Sequence, residues 1–153
     1  RAPKQPTAFN LQEAIFRQEF KIEEIIELLY ATSCDEQMFE QSVAAMHQAI
    51  EKSREKLLAK GEPINESDEE ILINQVDALV DLLYFVYGSF VLLGVDPDPM
   101  LKIVHQANMG KLFPDGQPHY DEITHKVLKP KDWAEKYAPE GKIREELEKQ
   151  KHH

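Results

Sequence analysis

Apolar residues recur at three- and four-residue spacing along most of the chain, which is the pattern of amphipathic helices. This pattern predicts four main helices, over residues 11–32, 36–60, 68–93 and 100–112. Turn signals after residue 112 predict a loop or a small hairpin, and a short polar helix is predicted over 142–149. We therefore predict an all-α helical bundle in one domain, 1–153, with a helical core at 7–112 and a C-terminal loop and tail at 113–153.

Residues that cap helices stand where these helices should begin and end. Asn10 with Glu13, and Ser67 with Glu70, have the spacing of a capping box, in which each side chain bonds to the backbone of the other residue. Gly94 follows the third helix, at the position where glycine often ends a helix.

The third predicted helix combines a long apolar run with two carboxylates. It is almost wholly apolar from Leu79 onward, which predicts a core helix, yet Asp77 and Asp81 lie one turn apart on one face. Because burying an unpaired carboxylate is costly, this pair indicates a bound cation. The alternative is that Asp77 lies on the surface and that Asp81 pairs with Arg17 or a lysine.

Charge and composition narrow the functional classes. The formal net charge of -10 argues against non-specific binding to nucleic acid or to anionic membranes. Polar residues interrupt the apolar run of the third helix, so we expect no membrane span. Cys34 is the single cysteine, so no intrachain disulfide can form, and this suits a cytoplasmic protein.

Carboxylates on the first predicted helix could complete a cation site. Glu24 and Glu27 share a helix face, and Glu23 lies beside them. Mg²⁺, and also Mn²⁺, prefers oxygen ligands of this kind. We predict that Glu24, Glu27, Asp77 and Asp81 hold the metal, although an isolated acidic stretch of this type would more often be a solvated edge.

Polar and basic residues downstream could bind an anionic substrate. Asn108 and Lys111 near the end of the fourth helix could contact phosphate oxygens, although a capping or surface role fits equally well. Lys126 and Lys129 could clamp a polyphosphate as point charges, or could form a solvated basic loop. Arg17, close to the acidic stretch, is a further candidate for substrate binding. The sequence has no Gly-rich phosphate loop, CxxC, HExxH or GxSxG motif.

The ordered set of motifs resembles the all-α nucleoside triphosphate pyrophosphohydrolase superfamily, which includes MazG-like proteins and phosphoribosyl-ATP pyrophosphohydrolases. The resemblance rests on EExxE at 23–27 and on three later stretches: VDALVDLLYFVYGSFVLLGVDPDP, VHQANMGKLFPDGQP and HKVLKP. The family pattern is EExxE followed by ExxD. Here Ala78 stands at the ExxD glutamate, and Asp77 is the nearest carboxylate. The separation of 54 residues between Glu27 and Asp81 fits an additional helix between the motifs.

The resemblance implies Mg²⁺-dependent hydrolysis of a (deoxy)nucleoside triphosphate between its α- and β-phosphates, giving a monophosphate and pyrophosphate. It matches Glu24, Glu27 and Asp81 with metal ligands, and it matches Asn108 and Lys111 with positions that reach the phosphates. A carboxylate not fully occupied by metal, Glu23 or Glu24, could take the proton of the attacking water.

Family members are oligomers, so the resemblance also implies a homodimer or a dimer of dimers. Two alternatives to this function stay open. One is the same chemistry on phosphoribosyl-ATP in histidine biosynthesis. The other is a non-catalytic nucleotide-binding helical oligomer, which the departure at Ala78 favours.

Overall fold

Helices make up most of the computed structural model, which describes residues 3–64 and 67–152. Four long helices are followed by two short ones: α1 (Leu11–Thr32), α2 (Glu36–Leu58), α3 (Asp68–Leu93), α4 (Pro97–Met109), α5 (Trp133–Tyr137) and α6 (Pro139–Gln150). The described residues form no strand, and one isolated antiparallel bridge joins Tyr120 to Val127 in the loop after α4. The predicted all-α class is therefore confirmed.

Local hydrogen bonds determine where the long helices begin. The Asn10 side chain accepts a hydrogen bond from the backbone N–H of Glu13 at 2.9 Å, and the Glu13 carboxylate accepts one from Asn10 N at 3.1 Å. This is the predicted capping box of α1. At the start of α3, Ser67 Oγ accepts a hydrogen bond from Glu70 N at 3.2 Å. Gly94 follows α3 with a φ of 67°, a left-handed conformation that glycine adopts without strain.

The chain divides into two compact units, residues 1–80 and residues 81–153, so α3 contributes to both. In the first unit α1 packs against α2, and the rings of Tyr30 and Phe39 meet edge to face at 5.3 Å. In the second unit α4 packs against α6. The prediction of one domain over 1–153 stays a prediction.

Two glutamine side chains on helices form hydrogen bonds with the backbone of segments that precede other helices. Gln75 on α3 accepts a hydrogen bond from Phe9 N at 2.8 Å and donates one to Phe9 O at 2.9 Å. Gln150 at the end of α6 accepts one from Asp96 N at 2.9 Å and donates one to Asp96 O at 3.2 Å. Each amide therefore satisfies both backbone groups of a residue that precedes a helix.

Burial in the described part of the chain is concentrated around α4. The buried residues there are Met100, Ala107 and Trp133, all in the second unit. By contrast, α3 has no buried residue, and Tyr84 and Val91 on it are each 77% exposed. The expectation that this chain buries α3 in its own core is wrong, because helical periodicity identifies an apolar face without saying what covers it.

The α3 helix is also long and apolar enough to cross a membrane, by its length and composition alone. This differs from the expectation drawn from the interrupted apolar run. One such helix is weak evidence of a membrane span, because core helices of soluble proteins have the same composition. Asp77 and Asp81 near its middle oppose a membrane position, since a charged side chain at the bilayer centre costs about 2.5–3.5 kcal/mol.

Candidate active site

The α1 helix presents its acidic stretch on an exposed surface. Glu24 and Glu27 are three positions apart, which places them on one face about 4.5 Å apart along the helix axis. Both are exposed, as is Glu23. Two carboxylates on one face of a regular helix have the oxygen chemistry that a hard divalent cation requires.

The α3 helix carries the second pair of carboxylates. Asp77 and Asp81 are both exposed and lie about 6 Å apart along the helix axis. Asp77 belongs to the first compact unit and Asp81 to the second. Over residues 3–64 and 67–152, no three carboxylate, imidazole or thiol side chains form a group that could hold a metal ion. Each pair has suitable donor chemistry, and the four-carboxylate set stays a prediction.

Arg17 lies on α1, on the N-terminal side of the acidic stretch. The central carbon of its guanidinium lies 5.8 Å from the centroid of the Phe20 ring, within the range of a cation–π contact. Its backbone carbonyl accepts a hydrogen bond from Lys21 Nζ at 3.0 Å. The side chain is exposed, and its role in substrate binding stays a prediction.

Three of the predicted phosphate-binding residues lie together around Trp133. The Trp133 Nε1–H donates a hydrogen bond to the carbonyl of Ala107 at 2.7 Å, so the indole is anchored to the last turn of α4. Lys129 Nζ lies 4.3 Å from the centroid of the Trp133 ring, and Lys111 Nζ lies 5.8 Å from it. Lys111 Nζ also donates a hydrogen bond to Asn108 Oδ1 at 2.8 Å. Sequence reasoning missed Trp133, although a single tryptophan just after two basic residues was a visible signal.

Gly110 allows α5 to lie against the end of α4. A Cβ atom at this position would overlap the ring of Tyr137. The φ of Gly110 is -67°, which any residue adopts, so close packing is the reason that a glycine fits here. Trp133 and Tyr137 are one turn apart on α5, so this contact helps to set the position of the indole.

Side chains within the loop order the segment that carries Lys126. The carboxylate of Asp121 accepts hydrogen bonds from Thr124 N at 2.7 Å and from Ile123 N at 3.0 Å. These bonds, led by that from the Thr124 backbone, hold the pKa of Asp121 below its usual value. The backbone N–H of Asp121 donates to the carbonyl of Lys126 at 2.9 Å. The backbone at Lys126 is thus part of a closed turn.

A second group of contacts orders the start of the same loop. Asp115 Oδ2 lies 2.7 Å from His119 Nε2, and the imidazole stacks on the Phe113 ring at 4.1 Å. The contact with His119 is the main reason that the pKa of Asp115 is lowered. Leu128 N donates a hydrogen bond to the carbonyl of His119 at 2.7 Å, which closes the loop just before Lys129.

Comparison with known proteins agrees with the resemblance seen in the motifs. The family model described as phosphoribosyl-ATP pyrophosphohydrolase matches residues 1–108, which include both acidic stretches. The chain is also similar to a crystal structure of a candidate NTP pyrophosphohydrolase from Exiguobacterium sp. 255-15. That similarity covers 99% of this chain and 88% of that chain, with 37% sequence identity and a TM-score of 0.87. No curated protein matches the chain.

Proposed function

Because the chain belongs to the phosphoribosyl-ATP pyrophosphohydrolase family, we propose that it cleaves a (deoxy)nucleoside triphosphate to a monophosphate and pyrophosphate. Pyrophosphohydrolase chemistry in general is supported by the family match and by the 37% identity to the Exiguobacterium structure. The nucleoside triphosphate substrate and the requirement for Mg²⁺ are our proposal.

The observation that carries the proposal is the pair of carboxylates on each of two helices within the matched residues 1–108. Glu24 and Glu27 on α1, with Asp77 and Asp81 on α3, are the residues that would hold Mg²⁺. When bound, the ion would neutralise charge on phosphate oxygens and acidify a water molecule. Asp77 would take the place of the glutamate that the family pattern has at Ala78.

Hydrolysis of the triphosphate needs a group that accepts a proton. The oxygen of water bonds to phosphorus, the anhydride bond between the α- and β-phosphates breaks, and a water proton is released. Glu23, an exposed carboxylate beside the proposed metal ligands, would accept that proton, or Glu24 would accept it through a carboxylate oxygen that the metal does not occupy.

Basic residues are needed to bind the phosphate chain. Lys111 and Lys129, which lie around Trp133 with Asn108, support this part of the proposal. Lys126 and Arg17 are the further residues that we propose for substrate binding. Lysine acts on phosphate oxygens as a compact point charge.

We also propose that the protein assembles into at least a homodimer. The α3 helix is unburied in its own chain, and Leu92 on it is 90% exposed. Soluble proteins rarely leave large contiguous apolar surfaces uncovered. Lipid is a poor candidate for covering α3, because the helix carries the carboxylates of Asp77 and Asp81 and the chain has a net charge of -10. We therefore propose that a second copy of the chain covers it. A monomer at micromolar concentration in light scattering would contradict it.

Two alternatives follow from specific observations. The description of the matching family favours phosphoribosyl-ATP as the substrate of the same chemistry. Ala78, at a position where the family pattern has a glutamate, favours a non-catalytic protein that binds nucleotides.

A pyrophosphate-release assay over a panel of nucleotides, with and without Mg²⁺, separates these functions. We expect Mg²⁺-dependent turnover of at least one nucleoside triphosphate. Turnover of phosphoribosyl-ATP alone would establish the first alternative. If no nucleotide is hydrolysed while nucleotides still raise the melting temperature, the non-catalytic alternative holds.

Single substitutions test the metal-binding residues. We expect Glu27→Gln and Asp81→Asn each to lower kcat/KM by about 100-fold or more, because each removes a charged ligand without changing the side-chain size. Glu19→Gln, an exposed change on the same α1 helix, is the matched control and should retain activity. Circular dichroism should show unchanged helix content in all three variants. Normal activity of Glu27→Gln or Asp81→Asn would contradict the proposed metal site.

A further inference from the structure

Trp133 is the only tryptophan of the chain, and it is 8% exposed in the second compact unit. Its N–H donates a hydrogen bond to the carbonyl of Ala107, so the ring is fixed to the last turn of α4, which carries Asn108 and is followed by Lys111. Two ammonium groups, those of Lys111 and Lys129, lie within 6 Å of the ring centroid. One ring thus brings together a lysine just past the end of α4 and a lysine from the loop before α5.

Holding two ammonium groups beside one ring is unfavourable unless something offsets their mutual repulsion. The chain has an excess of acidic residues, yet within the described ranges neither Lys111 nor Lys129 forms an ion pair with a carboxylate. Lys111 bonds to the neutral amide of Asn108 instead. Both positive charges therefore remain available to an external anion.

An aromatic face differs from a carboxylate in the way that it holds a lysine. A carboxylate would hold the ammonium in place and would also cancel its charge. An indole attracts the ammonium through its quadrupole and leaves the net charge unchanged. Trp133 can therefore position Lys129 and Lys111 without weakening their attraction for phosphate.

We propose that Trp133 is a positioning residue that holds Lys129 and Lys111 as a two-ammonium site for a polyphosphate, acting through the two lysines. The ligand class is a pyrophosphate or a longer phosphate chain. Two separate positive charges can each contact a different phosphate group, so they match a ligand with two phosphate groups better than a ligand with one. This inference rests on the proposed function, in which these lysines bind the substrate's phosphates.

Binding of inorganic pyrophosphate tests the site apart from catalysis. Titration in metal-free buffer with a chelator can be followed by the emission of Trp133, which is the only indole present. We expect a saturable change in emission, and we expect Lys129→Gln to raise the Kd by roughly three- to tenfold, since one charged contact to the anion is removed. Lys102→Gln, a matched change at an exposed lysine of α4, should leave the Kd within about twofold of the wild-type value.

Two results would overturn the proposal in this experiment. One is the absence of any saturable change in emission or heat on adding pyrophosphate. The other is an equal loss of affinity in Lys129→Gln and Lys102→Gln, which would show attraction by overall charge only. Sulfate at matched ionic strength controls for salt, and it should not reproduce the titration. Because this assay needs no turnover, it still decides the proposal if no nucleotide is hydrolysed.

A double-mutant cycle separates positioning from a purely structural role of the indole. We expect Trp133→Leu to raise the KM for the nucleotide by roughly three- to fivefold with little change in kcat, as expected for loss of a cation–π contact. Trp133→Phe keeps an aromatic face and should recover most of this loss. Calorimetry with pyrophosphate gives the corresponding affinities of both variants, which lack the indole fluorophore.

The decisive comparison is made in the Lys129→Gln background. If Trp133 acts through the lysines, Trp133→Leu should have a much smaller effect there than in the wild type. An undiminished effect would mean that the indole acts only through the fold and would overturn the proposal. If Trp133→Leu does not fold, Trp133→Phe decides the question, with its fold checked by its melting temperature. Its aromatic face should keep the KM within about twofold of the wild-type value, and a rise of roughly three- to fivefold would overturn the proposal.

Discussion

Replacement of Gly110 by alanine tests the close packing between α4 and α5. Gly110 has a helical φ of -67°, so alanine fits the backbone without strain. Its Cβ, however, would overlap the ring of Tyr137. The side chain of Tyr137 must then move, or α5 must shift away from the end of α4.

The net effect is the difference between a steric cost and a backbone gain. Overpacking of this kind costs about 1–3 kcal/mol, and the 37% exposure of Tyr137 lets the ring move outward, which favours the lower half of that range. Alanine in place of glycine contributes about 0.5–1 kcal/mol in the opposite direction. We expect a net destabilisation of about 1 kcal/mol, or a melting temperature lower by about 2–4 °C for a chain of this size.

Gly141→Ala is the matched control, because Gly141 lies in α6 of the same unit with nothing near its missing Cβ. Thermal and denaturant unfolding should show Gly141→Ala slightly more stable than the wild type and Gly110→Ala less stable. Adding Tyr137→Leu to Gly110→Ala should remove much of the steric cost, which a double-mutant cycle would measure. If Gly110→Ala stabilises the protein as much as Gly141→Ala does, the packing argument is refuted.

Three further outcomes follow from the contacts described above. Gln75→Leu removes the two hydrogen bonds that the side chain makes to the backbone of Phe9. In denaturant titrations it should lower the free energy of unfolding by about 1–2 kcal/mol. Gln48→Leu, a matched change at an exposed position on α2, should alter the free energy of unfolding little. The pKa of Asp121 is lowered in the folded chain, chiefly by the hydrogen bond from the Thr124 N–H. The ionised carboxylate therefore stabilises the fold at a pH above its unfolded pKa of about 3.9, and this stabilisation is lost as the pH falls through the lower folded pKa. The acid-induced fall in melting temperature should accordingly be shallower in Asp121→Ala than in the wild type, and equal slopes would contradict this. If a second copy covers α3, the melting temperature should rise with protein concentration, and a melting temperature independent of concentration would argue against the assembly.

Local signals in the sequence were sufficient to place the start of α1 and the end of α3, whereas α4 begins and ends three residues before its predicted bounds of 100 and 112. The capping box of Asn10 and Glu13 starts α1, and the glycine at position 94 ends α3, both as predicted. Such signals involve residues within one turn of each other, so the sequence pattern contains them directly. The α5 helix was not predicted, because it has only five residues and no side-chain cap. The last helix begins at Pro139, three residues before the predicted start, since proline is tolerated in a first helical turn.

Contacts between residues far apart in the sequence were less predictable. The bond between Trp133 and Ala107 spans 26 residues, and neither residue carries a local signal of it. Lys111 and Lys129 were predicted as separate phosphate-binding candidates, and only the fold shows that one ring joins them. The metal set of Glu24, Glu27, Asp77 and Asp81 came from helical spacing and family resemblance, and it remains a prediction.

The glutamine side chains that bind Phe9 and Asp96 have a consequence for hydrogen exchange. The amide hydrogens of these two residues precede helices and would exchange rapidly in a free segment, but each is bonded to a side-chain carbonyl. Each amide hydrogen should exchange only when its hydrogen bond to the glutamine side chain breaks, at a rate set by that local opening. Gln75 and Gln150 belong to different units. The exchange rate of the Phe9 amide would therefore report local opening of the N-terminal segment, and that of the Asp96 amide would separately report local opening at the α6 helix.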